Sequence, residues 1–240
     1  MGDMTRPPAF QTDRPTIVFD LDGTLAETAP DIIGTLNTVL EREGLAPVPV
    51  SKARDLVGAG ARALIERGFR LYDRPLSAER LDDLFALFLD IYAGRVADLS
   101  HLYDGVLPAL DALAASGHRL AVCTNKPERH SRLLLDALGV TDRFAAVAGR
   151  DTYAFFKPDA RHLTMTITAA GGDPGHAIMI GDSRTDIQTA RNAGLPVICV
   201  PFGYTDVPIE SLEPDLVIPH FDGLVGAVAT LSERGQGPSM

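Results

Sequence analysis

Four short polar stretches carry residue types that belong together chemically: DLDGT at residues 20–24, TNKP at 124–127, KPD at 157–159 and GDSRTD at 181–186. They supply four carboxylates (Asp20, Asp22, Asp182 and Asp186), a hydroxyl from Thr124 and an ammonium from Lys157. Two carboxylates about 4 Å apart repel by roughly 4 kcal/mol at an effective dielectric of 20, so such a set needs a cation or a proton. No His or Cys lies among them, so the donors are hard oxygens, suited to Mg²⁺ rather than zinc. Gly23 and Asn125 are placed to offer backbone N–H groups to an anion at a helix start. If Mg²⁺ and a phosphate are both to fit, one carboxylate must carry a proton, and that proton is a usable general acid. The chemistry these residues suggest is phosphoryl transfer, in which catalysis is mostly positioning and charge neutralisation.

The intervening sequence must bring these stretches to one place. Short apolar, β-branched runs at 16–19, 120–123, 145–148, 177–180, 197–200 and 216–218 read as buried strands. Helical spacing fills most of the gaps, as in Leu107, Leu110, Leu113 and Ala114, or Leu163, Ile167 and Ala170. Strands alternating with helices predict an α/β fold with a doubly wound parallel sheet, whose strand carboxyl ends share one ligand-binding edge. Residues 28–100 break the alternation, with helical periodicity (Ile32, Ile33, Leu36, Leu40; Leu56, Ala61, Leu64, Ile65; Leu81, Leu84, Phe85, Phe88, Ile91) and no strand. The expected organisation is a Rossmann-like core of residues 1–26 and 101–240 with an α-helical cap inserted at 27–100.

Composition narrows the partners. A chain of 240 residues, 45% hydrophobic, is long enough for a sizeable core. A formal net charge of -10 argues against nucleic acid and anionic membrane surfaces, both of which reward Lys and Arg clusters. An acidic chain that binds a small anionic phosphate must use a metal or a local cationic site. Two cysteines, Cys123 and Cys199, are too few for a disulfide framework and fit a reducing cytoplasm. No apolar run has the length of a membrane span, the N-terminal 15 residues lack a signal-peptide stretch, and both ends read as flexible. A monomer or homodimer is expected.

Structural roles compete with chemical ones at several positions. Ser183 to Asp186 fits a helix capping box, as does Thr28 to Asp31, and Thr124 and Asn125 could cap a helix with Pro127 in its first turn. Lys126, Arg150 and Arg184 read as surface charges, the six histidines as structural or exposed, and Cys123 as a small core residue. Phe155 and Phe156 read as core or cleft wall. In the helical insert, RDLVGAGARALIERG at 54–68 is the expected specificity segment: Gly58 and Gly60 permit close backbone approach, and Arg54 or Arg62 could meet a substrate carboxylate. The insert itself reads as a lid that excludes water and selects the leaving group.

In their order and spacing, the four stretches resemble the motifs of the haloacid-dehalogenase superfamily of phosphatases. The resemblance implies that Asp20 is the nucleophile, that Asp22 is the acid/base, and that Thr124 and Lys157 hold the phosphoryl group. It also implies that Asp20, the Asp22 backbone carbonyl and Asp182 hold Mg²⁺, with Asp186 near the metal through water or orienting Lys157. Dehalogenases and phosphonatases of the superfamily lack an aspartate at the position of Asp22, which favours phosphate ester hydrolysis here. Over nearly the whole chain, VFDLDGTLAETAPD, RDLVGAGA, YDGV, AVCTNKP and VPFGYTD resemble the bacterial phosphoglycolate phosphatases, which implies hydrolysis of 2-phosphoglycolate to glycolate and phosphate. One departure is visible: Asp159 is followed by Ala160, where those enzymes often have proline. The rival readings are a phosphatase or phosphomutase for another small phosphate (a sugar phosphate, pyrophosphate or a nucleotide) and a non-catalytic phosphate-binding module.

Overall fold

The computed structural model describes residues 14–49, 60–205 and 207–235. Its elements run β1 (Thr16–Phe19), β2 (Ala26–Glu27), α1 (Ala29–Arg42), α2 (Ala61–Arg70), α3 (Ala78–Ala93), β3 (His101–Leu102), α4 (Val106–Ala115), β4 (Leu120–Cys123) and α5 (Glu128–Ala137). They continue through β5 (Ala146–Ala148), α6 (Ala160–Ala169), β6 (Ala177–Gly181), α7 (Arg184–Asn192), β7 (Val197–Cys199), β8 (Leu216–Val217) and α8 (Leu224–Gly235). Six strands form one parallel sheet in the order β5-β4-β1-β6-β7-β8.

Both faces of a parallel sheet must be covered, because its crossover helices pack on either side. The strands obey this: Ile17 and Phe19 enter one apolar cluster with Val122, Ile178 and Ile180, while Val18 enters the other with Ala121, Cys123 and Met179. The order reverses around β1, since the chain builds outward through β4 and β5 and then returns to β6 on the opposite side. Such a switch point opens a crevice at the strand carboxyl ends. Because Phe19 is in register with both Val122 and Ile180, Asp20, Thr124 and Asp182 all emerge at that crevice.

The expected helical interval contains α1, α2 and α3, and a short antiparallel pair, β2 with β3, frames its entry and exit. That pair was not expected from the sequence, because two residues per strand are too few to show alternation. Asp31 does not cap α1 with Thr28, whose side chain makes no cap bond. Fully buried, its Oδ2 instead accepts from the N–H groups of Leu99 and Ser100 at 2.9 and 2.7 Å and from the Ser100 hydroxyl at 2.7 Å, tying the first helix to the returning chain. The α1 N-terminus is capped by the Tyr204 hydroxyl, which accepts from the N–H groups of Thr28 and Ala29 at 2.7 and 2.9 Å. Replacing Asp31 by Ala strands these donors, and a loss of about 3 kcal/mol in unfolding free energy is expected by urea titration.

His162, fully buried on α6, donates from Nε2 to the Gly149 carbonyl. Burial, then the Lys157 ammonium, pushes its pKa down to about 4. The unfolded chain takes up the proton first, near pH 6.5, so stability should fall as pH drops from about 6.5 toward about 4, by roughly 2 kcal/mol at pH 5. Urea titrations at about pH 7.5 and about pH 5 should show this loss, and His162→Gln should reduce it. Burial shifts His118 and His130 in the same direction. Cys123 and Cys199 are buried free thiols, and burial pushes Cys123 up to about 12. Among the described residues, no helix is long and apolar enough to cross a membrane.

Candidate active site

Asp20 follows β1 directly and its N–H donates to the Ile180 carbonyl at 2.9 Å, which fixes the backbone at the switch point. Lys157, 3% exposed, places Nζ 2.9 Å from Asp20 Oδ1 and 2.6 Å from Asp186 Oδ1. Asp186 Oδ2 accepts from the N–H groups of Asp182 and Ser183 and from the Ser183 hydroxyl, completing a capping box at the start of α7. One oxygen of Asp186 therefore starts a helix while the other holds Lys157, so the two readings of this residue are compatible. Asp182 accepts from the Thr24 hydroxyl at 2.9 Å and from the Tyr204 N–H at 2.7 Å.

One oxygen from each of Asp20, Asp182 and Asp186 lies within 4.8 Å of the others. Burial raises Asp20 to about 6 against the opposing pull of Lys157, and raises Asp182 well above the carboxylate range, with Asp186 and Asp20 adding to it. Lys157 is raised in turn, because Asp186 and Asp20 outweigh its own burial. Three carboxylates facing one ammonium leave excess negative charge in a place where water cannot screen it. Although Lys157 is close by as an ion pair, Asp20 Oδ1 accepts no hydrogen bond. An all-oxygen donor set with an unsatisfied oxygen fits a hard divalent cation. The surrounding backbone is built for close approach: a Cβ at Gly203 would lie 2.2 Å from Asp182 Oδ2, and one at Gly23, where φ is +82°, would lie 2.5 Å from it.

Asp22 lies on the open side of the cleft, its side chain 20% exposed, and Oδ1 accepts from Lys126 Nζ at 2.8 Å. Lys126 is not the surface charge expected of it. It is 7% exposed, donates also to the Tyr92 hydroxyl at 2.7 Å, and sits 4.5 Å from the Tyr92 ring centre. Burial alone would lower its pKa, but Asp22 and Tyr92 more than compensate and keep it protonated. Phe155 and Phe156 also differ from expectation, being a half-buried and an exposed platform beneath the guanidinium groups of Arg161 and Arg150. Arg184 is exposed, as read from the sequence.

Thr124 is buried at the end of β4, and Asn125 donates from Nδ2 to the Lys157 carbonyl at 3.0 Å, joining two of the loops. The Gly23 N–H does not face an anion, because it donates to the Ala26 carbonyl and closes the turn after β1. Arg62 is not in the cleft either: it pairs with Asp82 and lies over the Phe85 ring on an exposed helix face. Arg54 and Gly58 fall outside the described residues, as do the N-terminal 13 residues and the last five. Ile32, Leu64, Phe88 and Tyr92 from α1, α2 and α3 line the cleft opposite Asp20, Asp22, Asn125 and Lys126.

Tyr92, Lys126 and Tyr204 went unrecognised in the sequence. Leu84 and Phe88 are four residues apart, so one further turn leads to Tyr92, the third buried residue of α3. Lys126 sat inside a recognised motif, next to a strand end in an acidic chain. Tyr204 follows β7 in a loop with no periodic pattern, and although it lies in the VPFGYTD stretch, nothing local marks its contact with α1.

Residues 17–200 match the haloacid dehalogenase-like hydrolase family. The chain belongs to that family. The phosphoglycolate phosphatase of Mesorhizobium japonicum is 49% identical over 224 residues, spanning 93% of this chain and 99% of its own. The protein of the same name from Caulobacter vibrioides is 48% identical, spanning 93% and 94%. Among solved structures, a predicted phosphoglycolate phosphatase from Haemophilus somnus superposes with a TM-score of 0.83 at 29% identity, covering 90% of this chain and 98% of that one.

Proposed function

We propose that this hydrolase is a Mg²⁺-dependent phosphoglycolate phosphatase that converts 2-phosphoglycolate to glycolate and phosphate through an aspartyl phosphate on Asp20. The observation that carries the reading is the pairing of two differently housed aspartates. Asp20 is buried against Lys157 in a carboxylate cluster, while Asp22 stands two residues on, open to the cleft. The identity to curated phosphatases of that name supports the substrate.

Asp20 attacks phosphorus, and the phosphorus–oxygen bond to glycolate breaks as Asp22 gives its proton to the departing oxygen. Asp22, now ionised, takes a proton from the water that cleaves the acyl phosphate, which returns Asp20 and releases phosphate. Lys157 and the Thr124 hydroxyl hold the phosphoryl oxygens, and Asp186 keeps Lys157 in place. When bound by Asp20, Asp182 and the Asp22 backbone carbonyl, with Asp186 beside them, Mg²⁺ supplies neutralising charge for the carboxylates and the phosphoryl group. The insert at 27–100 acts as the cap over a core of 1–26 and 101–240, and the free buried thiols suit a reducing cytoplasm.

The test is a panel of phosphate esters at low concentration, with Mg²⁺ and with excess chelator. The expected result is the highest kcat/KM for 2-phosphoglycolate and activity lost by about 100-fold or more on chelation and restored by Mg²⁺. A preference for a hexose phosphate, or phosphate returned to a sugar, would contradict the substrate. No hydrolysis of any ester would favour a binding module.

A further inference from the structure

The substrate read above carries a carboxylate as well as a phosphate; of the two arginines expected to meet it, Arg62 is engaged with Asp82 away from the cleft, and Arg54 lies outside the described residues. Among the described residues that line the cleft, Lys126 contributes the one full positive charge. Lys157 is packed beneath, between Asp20 and Asp186. His130 also lines the cleft, but burial favours its neutral form, and Nε2 is committed to the Leu89 carbonyl at 2.9 Å.

We propose that Lys126 is a specificity-determining residue whose ammonium takes the carboxylate of the leaving group, helped by the Tyr92 hydroxyl from the helical insert. The assignment rests on the phosphoglycolate reading and deepens it. Asp22 must meet the ester oxygen to protonate it, and Lys126 Nζ is 2.8 Å from Asp22 Oδ1. In 2-phosphoglycolate the carboxyl carbon is only two bonds from that ester oxygen, so the carboxylate arrives beside Lys126 when the ester oxygen arrives beside Asp22. An ammonium has three N–H donors. Two are used, by Asp22 and by Tyr92, and the third is left for substrate.

Tyr92 accepts from Lys126, which leaves its own hydroxyl proton free to donate to the same carboxylate. Its ring is held between Phe88 and His130, with centroids 5.9 Å from each. The carboxylate is thus read jointly by a core lysine and a tyrosine of the insert. Phe88, Leu64 and Ile32 close the remaining side with apolar surface that offers nothing to a longer polar leaving group.

The experiment compares kcat/KM for 2-phosphoglycolate and ethyl phosphate, which replaces the carboxylate by a methyl group, in the wild type and in Lys126→Met. One charge-assisted hydrogen-bonded contact corresponds to about 10- to 100-fold in discrimination. The wild type should prefer 2-phosphoglycolate by at least that factor, and the variant should lose most of the preference. If Lys126 only positions Asp22, both substrates lose the same factor and the preference survives, which overturns the assignment while leaving the phosphoglycolate reading intact. A wild type with no preference overturns both.

Binding supplies a second readout that is independent of turnover and of Asp22 acting as acid. Calorimetry with 3-phosphonopropionate and propylphosphonate should show Lys126→Met weakening the first by about 10- to 100-fold and the second by less than about threefold. Equal weakening of both would also overturn the assignment.

Discussion

Asp20→Asn should abolish turnover, with kcat reduced by about 10⁴-fold or more, because the amide cannot act as the nucleophile and the other carboxylate against Lys157, Asp186, is committed to the start of α7. The same substitution should raise the stability of the metal-free protein. Burial is the main cost of the Asp20 charge, with repulsion from Asp186 added to it, and Lys157 only partly offsets them, so removing the charge relieves that cost. A gain of about 1–2 kcal/mol is expected, together with a smaller rise in melting temperature on adding Mg²⁺ than the wild type shows. Opposite signs for activity and stability separate a lost nucleophile from a damaged fold. If Asp20→Asn retained Mg²⁺-dependent hydrolysis, the mechanism would be wrong.

Asp22→Asn should act in a different way. The amide keeps the volume and an acceptor for Lys126, so the fold should tolerate it, but it has no proton to give to an alkoxide. For an alkyl phosphate, kcat/KM should fall by about 10³-fold. For p-nitrophenyl phosphate, whose leaving group needs little protonation, kcat/KM should fall by less than about tenfold, because this parameter reports only events up to phosphoryl transfer. The acyl phosphate should then accumulate, since its hydrolysis lacks a base. Equal losses on both substrates would assign Asp22 a structural role.

These outcomes depend on a site whose core was readable in the sequence for a simple reason. Strand carboxyl ends in a parallel sheet converge, so DLDGT, TNKP and GDSRTD needed only the strands before them to be recognised. The runs ending at Phe19, Cys123 and Gly181 are short and buried on both faces, the pattern that least resembles anything else. The helical insert was expected to cover that edge, but which of its side chains meet the core there was not readable. Lys126 looked like one more loop lysine because its partners come from positions 22 and 92, and no local pattern records such a contact. Thr28 and Asp31 matched a capping box in spacing, yet a tyrosine 176 residues away from Thr28 caps the helix and Asp31 bonds the returning chain. Gly23 was read for its amide, whereas its missing Cβ is what the packing against Asp182 requires. Local spacing pointed to the candidate chemical groups, and tertiary contact decides which groups hold them.

The covalent step is the central claim, and an acid-quenched single turnover tests it most directly. Enzyme in excess over 2-phosphoglycolate with a radiolabelled phosphoryl group, plus Mg²⁺, would be stopped within the first turnover and its peptides analysed by mass spectrometry. The account predicts one phosphoryl group on Asp20, which disappears on a chase and, in Asp22→Asn loaded from labelled p-nitrophenyl phosphate, persists. Label found only as free phosphate at every time point in both proteins, or on a residue other than Asp20, would contradict it.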